Sequence, residues 1–167
     1  MHNELTASDI KKMEEEIEYR KLVVRKNALE DVKEARAQGD LSENFEYYAA
    51  KKFKNQNESR IRYLERMIKT ATVISDDSKE DEVGLNNSVQ VQFEEDGSIE
   101  TYRIVTTVRG NSLVGLVSNE SPIGKALLGH KVNDRVYVEV NPSYGYYLVI
   151  LSIDKTNDDS QDKIRSF

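Results

Sequence analysis

The sequence has no cysteine and no tryptophan, and only two histidines and two prolines in 167 residues. Without cysteine there is neither a disulfide framework nor a thiolate metal site. His2 and His130 are too few and too far apart to suggest zinc. No stretch approaches the ~18 consecutive apolar residues of a membrane span. The opening MHNELTASDIKKMEEE contains no apolar signal core. The expectation is a cytoplasmic protein with no membrane partner. Glycine is scarce where it matters most: Gly39 stands alone in the first 75 residues, which contain no proline at all.

What is present is charge. Hydrophobic residues make up 38% and charged residues 32%, and the mean hydropathy is −0.67. That is polar for a compact globule and suits an elongated helical part with little core. The net charge is −6, unevenly spread. Residues 1–75 carry 15 Lys and Arg against 14 Asp and Glu, whereas residues 76–167 carry 9 against 16. A general DNA-coating protein needs a strongly basic domain, which neither half provides. A local basic patch can still meet a phosphate backbone.

The chain divides near residue 75. Before it, Ala, Glu, Lys, Arg and Leu dominate and favour helix. Ser8 or Asp9 suits a cap for a helix starting near Ile10. Ile10, Met13, Ile17 and Val24 follow helical spacing, interrupted by Arg20 and continued by Ala28, Val32 and Ala35. In a second run Ile61, Leu64, Ile68 and Ala71 alternate three and four apart. Tyr47, Ala50, Lys54 and Asn57 extend that seam backwards. Both are narrow stripes with polar outer faces, as in a coiled coil. Gln38-Gly39-Asp40-Leu41-Ser42 separates them. Gly39 suits a helix C-terminus and Asp40 or Ser42 the next cap. So short a break implies antiparallel neighbours. Arms of roughly 30 residues would be about 45 Å long, and their tip is expected to project into solvent.

The assignment is therefore an antiparallel coiled-coil hairpin over 1–75, with an acidic tip near 39–46. A charged linker over 76–87 follows, then a small α+β domain over 88–154 and a polar, frayed tail over 155–167. In the α+β part Val89, Val91 and Phe93 alternate as in a strand, and Glu94-Glu95-Asp96-Gly97 marks a hairpin turn. Ile99 to Val108, Ser112 to Val117, Arg135 to Val140 and Tyr146 to Ile153 are further strand candidates. Ser121-Pro122 opens a short helix ending near Leu128-Gly129.

The tip carries the chemistry. Asp40 and Glu43 are three residues apart across a helix start, with Glu46 one turn further on. One reading is a capping pair, Asp40 accepting from the helix backbone and Glu43 reaching back. The other is metal chemistry. Mg²⁺ prefers carboxylate oxygens and takes one or two of them plus phosphates and waters. Two acids on a tip are no complete site, but they can complete one elsewhere for phosphodiester hydrolysis. The two readings are compatible. Lys33 and Arg36 on the outgoing arm, with Lys51, Lys52 and Lys54 on the return arm, can hold an RNA backbone or be ordinary solvated charge. Tyr47 lies on the seam and is expected to pack. Tyr48 is the freer candidate for stacking on a base.

These residues resemble a known family. Glu34-Ala35-Arg36, Gly39-Asp40-Leu41-Ser42-Glu43-Asn44, Glu46-Tyr47 and Ala49-Ala50-Lys51 look like the hairpin-tip signature of the Gre transcript-cleavage factors of bacteria. Arg60-Ile61, Leu64-Glu65 and Ala71-Thr72-Val73-Ile74 fit the same pattern. A second block, Ser121-Pro122-Ile123-Gly124-Lys125-Ala126-Leu127-Leu128-Gly129-His130-Lys131 followed by Asp134, matches in the other domain. The resemblance implies an N-terminal hairpin that enters the secondary channel of bacterial RNA polymerase. It also implies an FKBP-like C-terminal domain docking at the channel entrance through Ser121, Pro122, Ile123 and Leu127. Asp40 and Glu43 then align with the acidic pair that helps hold the second Mg²⁺, and the 3′ end of backtracked RNA is cleaved. The isolated chain, a monomer, would bind no cofactor, and the enzyme would be the polymerase. For Ile123, Leu127 and Leu128 the plain alternative is domain core. Phe45, Tyr48 and Asn133 depart from the family's usual small residue, His and Gly.

Two other readings compete. A non-cleaving member of the same fold would occupy the channel and regulate or inhibit transcription. A coiled-coil adaptor with a prolyl-isomerase domain would need an aromatic proline pocket. The C-terminal half has no Trp and, apart from the terminal Phe167, only Phe93 as a Phe.

Overall fold

The computed structural model describes residues 3–39, 44–156 and 158–166. They form two compact units: Ser8–Ala71, and the segment through Ala7 together with Thr72–Ser166.

The helical unit starts earlier than the sequence suggests. Strand β1 (Glu4–Leu5) leads into α1 (Ala7–Tyr19), which places Ser8 and Asp9 in its first turn. A single wider π turn, Arg20–Val24, joins α1 to α2 (Arg25–Ala37). The return arm α3 (Phe45–Lys69) has 25 residues, hence about 37 Å rather than 45 Å. The seam buries Met13, Ala28 and Ala35 on the outgoing arm. On the return arm it buries Tyr47, Asn57, Ile61 and Leu64. These are the positions that the three-and-four spacing singles out.

The interruption at Arg20 has a structural reason. Its Nη1 donates to Asn57 Oδ1 at 3.0 Å, and Asn57 Nδ2 donates back to the Arg20 carbonyl at 3.3 Å. That carbonyl lies at the start of the π turn, where it also accepts from the Arg25 N–H. A widened turn is a usual way to fit an extra polar contact into a helix. Glu16 takes Arg20 Nε at 2.7 Å and Arg60 Nε at 2.8 Å. Arg25 meets Glu58 through two bonds of 2.9 and 2.8 Å.

The second unit pairs β1 in parallel with β2 (Thr72–Val73). Its main sheet is built from β3 (Ser88–Phe93), β4 (Ile99–Val105), β5 (Leu116–Ser118), β6 (Arg135–Asn141) and β7 (Tyr144–Asp154). The strand order is β5-β4-β3-β7-β6, antiparallel except for the β4–β5 pair. One short helix, α4 (Pro122–Leu127), adds to a core of Val89, Val91, Ile104, Leu127, Val136, Val138, Leu148 and Ile150. The α+β class holds. The strand expected over Ile99 to Val108 ends at Val105 and continues as a 3₁₀ turn. The one expected over Ser112 to Val117 begins with another 3₁₀ turn before β5.

Two boundaries differ from expectation. Residues 76–87 are not a charged linker throughout. The acids stop at Glu82, and Val83, Leu85, Asn86 and Asn87 are buried. The Val83 N–H donates to the His130 carbonyl at 2.8 Å, and the Asn86 N–H donates to the Ile104 carbonyl at 2.6 Å. Described residues of the tail from Lys155 on also make specific contacts. Lys155 Nζ lies within hydrogen-bonding distance, 2.6 to 2.9 Å, of Ser78 Oγ, the Lys79 and Glu82 carbonyls and Asn87 Oδ1. Asp162 bridges Arg103 and Arg109 with two contacts of 2.7 Å. The Arg165 N–H reaches the Val108 carbonyl at 2.7 Å. No helix among the described residues is long and apolar enough to cross a membrane.

Candidate functional site

Asp40, Leu41, Ser42 and Glu43 lie outside the described residues, so the site is read from the residues on either side. Gln38 ends α2, and Gly39 follows with φ of +126°, a conformation that favours glycine. On the far side Asn44 is the N-cap of α3. Its Oδ1 accepts from the Tyr47 N–H at 2.9 Å. Its Nδ2 donates across the hairpin to the Ala35 carbonyl at 2.6 Å. The cap that spacing offers to Asp40 or Ser42 therefore belongs to Asn44. Sequence reasoning passed over it although Asn is among the best N-caps. Its position directly before the amphipathic run was the available signal.

Behind the cap, Tyr47 packs into the seam as expected. Arg36 stacks over its ring at 5.5 Å, and Tyr48 meets it edge-on at 5.4 Å. A long contact from Arg36 Nη2, 3.5 Å from the hydroxyl, with Lys51 and Lys54 nearby, holds the Tyr47 phenol below its usual pKa. Tyr48 is 51% exposed and Phe45, the first residue of α3, is 85% exposed. Lys33, Arg36, Lys51 and Lys52 are exposed. No ion pair among the described residues involves any of them. The structure thus gathers basic and aromatic side chains on the turns next to the acidic loop. Among the described residues no group of three His, Asp or Glu could hold a metal ion.

In the second unit, Ser121 caps α4: its Oγ accepts from the Gly124 N–H at 3.1 Å and donates to the Ser118 carbonyl at 2.6 Å. Pro122 is exposed, and Ile123 is half-buried against the core. Leu127 is 0% exposed. That corrects its assignment to a docking surface: on a two-turn helix lying on a sheet, it faces inward and belongs to the core. A groove of about 520 Å³ beside β5 is lined by Leu113, Leu116, Val117, Ser121 and Ile123, among others. Asn133 has a left-handed backbone. Its φ is +73°, a left-handed conformation that Gly adopts freely and Asn tolerates better than most residues.

Comparison with known proteins places this geometry in context. Residues 3–73 match the family model described as transcription elongation factor, N-terminal. Residues 77–155 match the model described as transcription elongation factor, GreA/GreB, C-term. The chain is 47% identical to transcription elongation factor GreA of Thermoanaerobacter pseudethanolicus, over 90% of this chain and 96% of that one. It is 44% identical to GreA of Bacillus subtilis, over 81% and 86% of the respective chains. A crystal structure of GreA factor homolog 1 from Thermus thermophilus is 26% identical, covering 90% of this chain and 97% of that one, with a TM-score of 0.41.

Proposed function

The chain belongs to the GreA/GreB family of transcription elongation factors, and on that premise we propose that it carries Asp40 and Glu43 into the secondary channel of bacterial RNA polymerase. There the two carboxylates help hold the second Mg²⁺ and stimulate cleavage of the 3′ end of backtracked RNA. The observation that carries this reading is the match of both halves of the chain, in order, to proteins named for transcription elongation.

The donor set fits the metal in kind but not in number. Carboxylate oxygens suit Mg²⁺, yet two of them cannot fill an octahedral shell. The rest must come from the polymerase, phosphate and water. A metal held there, when bound, activates water and steadies the charge on the scissile phosphate. The chain's own contribution is placement. Asn44 caps α3, so that role is filled without a tip acid. Lys33, Arg36, Lys51 and Lys52 contact RNA phosphates, and Tyr48 offers a stacking face to an unpaired base. Ser121, Pro122 and Ile123 meet the polymerase at the channel entrance. The factor works as a single copy and is not itself the enzyme.

Purified chain added to stalled, backtracked polymerase with Mg²⁺ is expected to release short 3′ RNA fragments. The double substitution Asp40→Asn, Glu43→Gln should abolish release and leave polymerase binding intact. Fragment release by the double variant at the wild-type rate contradicts the assignment.

A further inference from the structure

We propose that the C-terminal tail, residues 158–166, is part of the docking surface of the second unit. It walls the groove beside β5 and makes that groove selective for an apolar segment of RNA polymerase that carries a carboxylate. The inference deepens the docking of Ser121, Pro122 and Ile123 given above and rests on that reading. The match to the GreA/GreB C-terminal model ends at residue 155, so the tail adds to the part of the chain that the family model covers.

The tail has a definite place. Asp162 meets Arg103 and Arg109 at 2.7 Å each, and Arg103 Nη2 donates to the Asp158 carbonyl at 2.8 Å. The Arg165 N–H donates to the Val108 carbonyl at 2.7 Å. These bonds lay the tail along the 3₁₀ turn Thr107–Arg109. Arg165 lines two grooves there. One, of about 600 Å³, is formed by the tail with Val114 and Leu116. The other, of about 520 Å³, is lined by Leu113, Leu116, Val117, Ser121 and Ile123. Leu113 is 94% exposed. A large apolar side chain in water, beside an apolar groove that continues into Ser121 and Ile123, marks an interaction surface.

Charge identifies the occupant. Residues 76–167 carry 16 acids against 9 bases. Yet among the described residues no carboxylate lines the second groove, and Arg165 is its one charged lining residue. A peptide segment with an apolar side chain for Leu113, Leu116 and Ile123 and a carboxylate for Arg165 fits both features. A nucleic acid would find one cation and no aromatic ring to stack on.

Leu113→Asp and Arg165→Glu test the groove and the tail in turn. Both residues are exposed, and the Val108 bond comes from the Arg165 backbone, so both variants should keep the wild-type melting temperature. Direct binding of labelled, full-length chain to polymerase gives the readout. Each variant should raise the half-saturating concentration about 10-fold, and Arg165→Lys, which keeps the cation, should recover most of the loss. Wild-type half-saturation in either variant overturns the proposal. So does a loss that tracks a lowered melting temperature, or an Arg165→Lys protein as weak as Arg165→Glu. Wild-type chain that fails to bind polymerase sinks the docking reading itself. Wild-type binding with unaltered variants sinks this inference alone.

Discussion

Arg20 and Asn57 exchange two hydrogen bonds across the helical hairpin, Nη1 to Oδ1 at 3.0 Å and Nδ2 to the carbonyl at 3.3 Å. Asn57 is only 3% exposed. A polar residue buried in a coiled-coil seam, as Asn57 is, fixes register at some expense in stability. Here it is satisfied from both sides, and the π turn supplies the carbonyl. Removing the Asn57 side chain takes one partner from the Arg20 guanidinium, which keeps Glu16, and one from the Arg20 carbonyl, which keeps the Arg25 N–H. Asn57→Ala is expected to destabilise the hairpin by about 1–3 kcal/mol, read as a lower midpoint in thermal unfolding followed by helix circular dichroism. An unchanged midpoint argues against this pair as the register pin.

Glu16 makes the hairpin sensitive to acid. Burial alone would push its carboxyl up, but the hydrogen bonds from Arg60 and Arg20 outweigh burial and hold it below the usual carboxylate range. A depressed folded-state pKa contributes stability that is complete above the unfolded value, about 4.3. That stability is lost as pH falls through the folded value. Wild type should therefore lose stability relative to Glu16→Gln on acidification below about pH 4.3, with a constant difference above pH 6. Urea melts of the two proteins across pH 3 to 7 check it. Parallel pH profiles would show that Glu16 is not the linked group.

The seam was legible in the sequence because helical packing depends on local spacing: Tyr47, Asn57, Ile61 and Leu64 were singled out and are buried. Local information failed where a partner lies far along the chain. Val83 and Asn86 look like the end of a charged linker until His130 and Ile104 supply the other half of their backbone bonds. Asp162 looks like a tail residue until Arg103 and Arg109 close on it. At the tip, Asp40, Ser42 and Asn44 are all good caps. Propensity could not choose among them, but the reach of Asn44 to both Ala35 and Tyr47 does. Leu127 was ambiguous for a related reason. Apolar residues on a short helix read alike whether they face a core or a partner.

Asp162 pins the tail to the second unit. The side chain of Arg109 is fully buried, and the side chain of Asp162 nearly so. Taking away Asp162 strips the buried Arg109 guanidinium of its shorter carboxylate contact, 2.7 Å against 3.9 Å to Asp159. Asp162→Ala is expected to cost about 3 kcal/mol and to expose the tail after Lys155 to limited proteolysis. Wild-type proteolytic resistance would show that Arg165 and Lys155 suffice to hold the tail.

Asn133 tests the cost of a left-handed backbone at a residue other than glycine. At φ of +73°, a side chain without Asn's local hydrogen bonding costs about 1–2 kcal/mol. Asn133→Ala should destabilise the second unit by about 1 kcal/mol, whereas Asn133→Gly should be neutral or slightly stabilising. Equal effects of the two substitutions in thermal unfolding would remove the conformational explanation.

The central claim is that Asp40 and Glu43 act as metal ligands delivered to the polymerase. It is tested most directly by the single-turnover cleavage rate of a backtracked complex as a function of Mg²⁺, at saturating factor. The account predicts that wild-type factor raises the rate and lowers the Mg²⁺ concentration for half-maximal cleavage. The Asp40→Asn, Glu43→Gln factor, bound equally well, should leave both at the values of polymerase alone. A double variant that reproduces the wild-type curve contradicts the account.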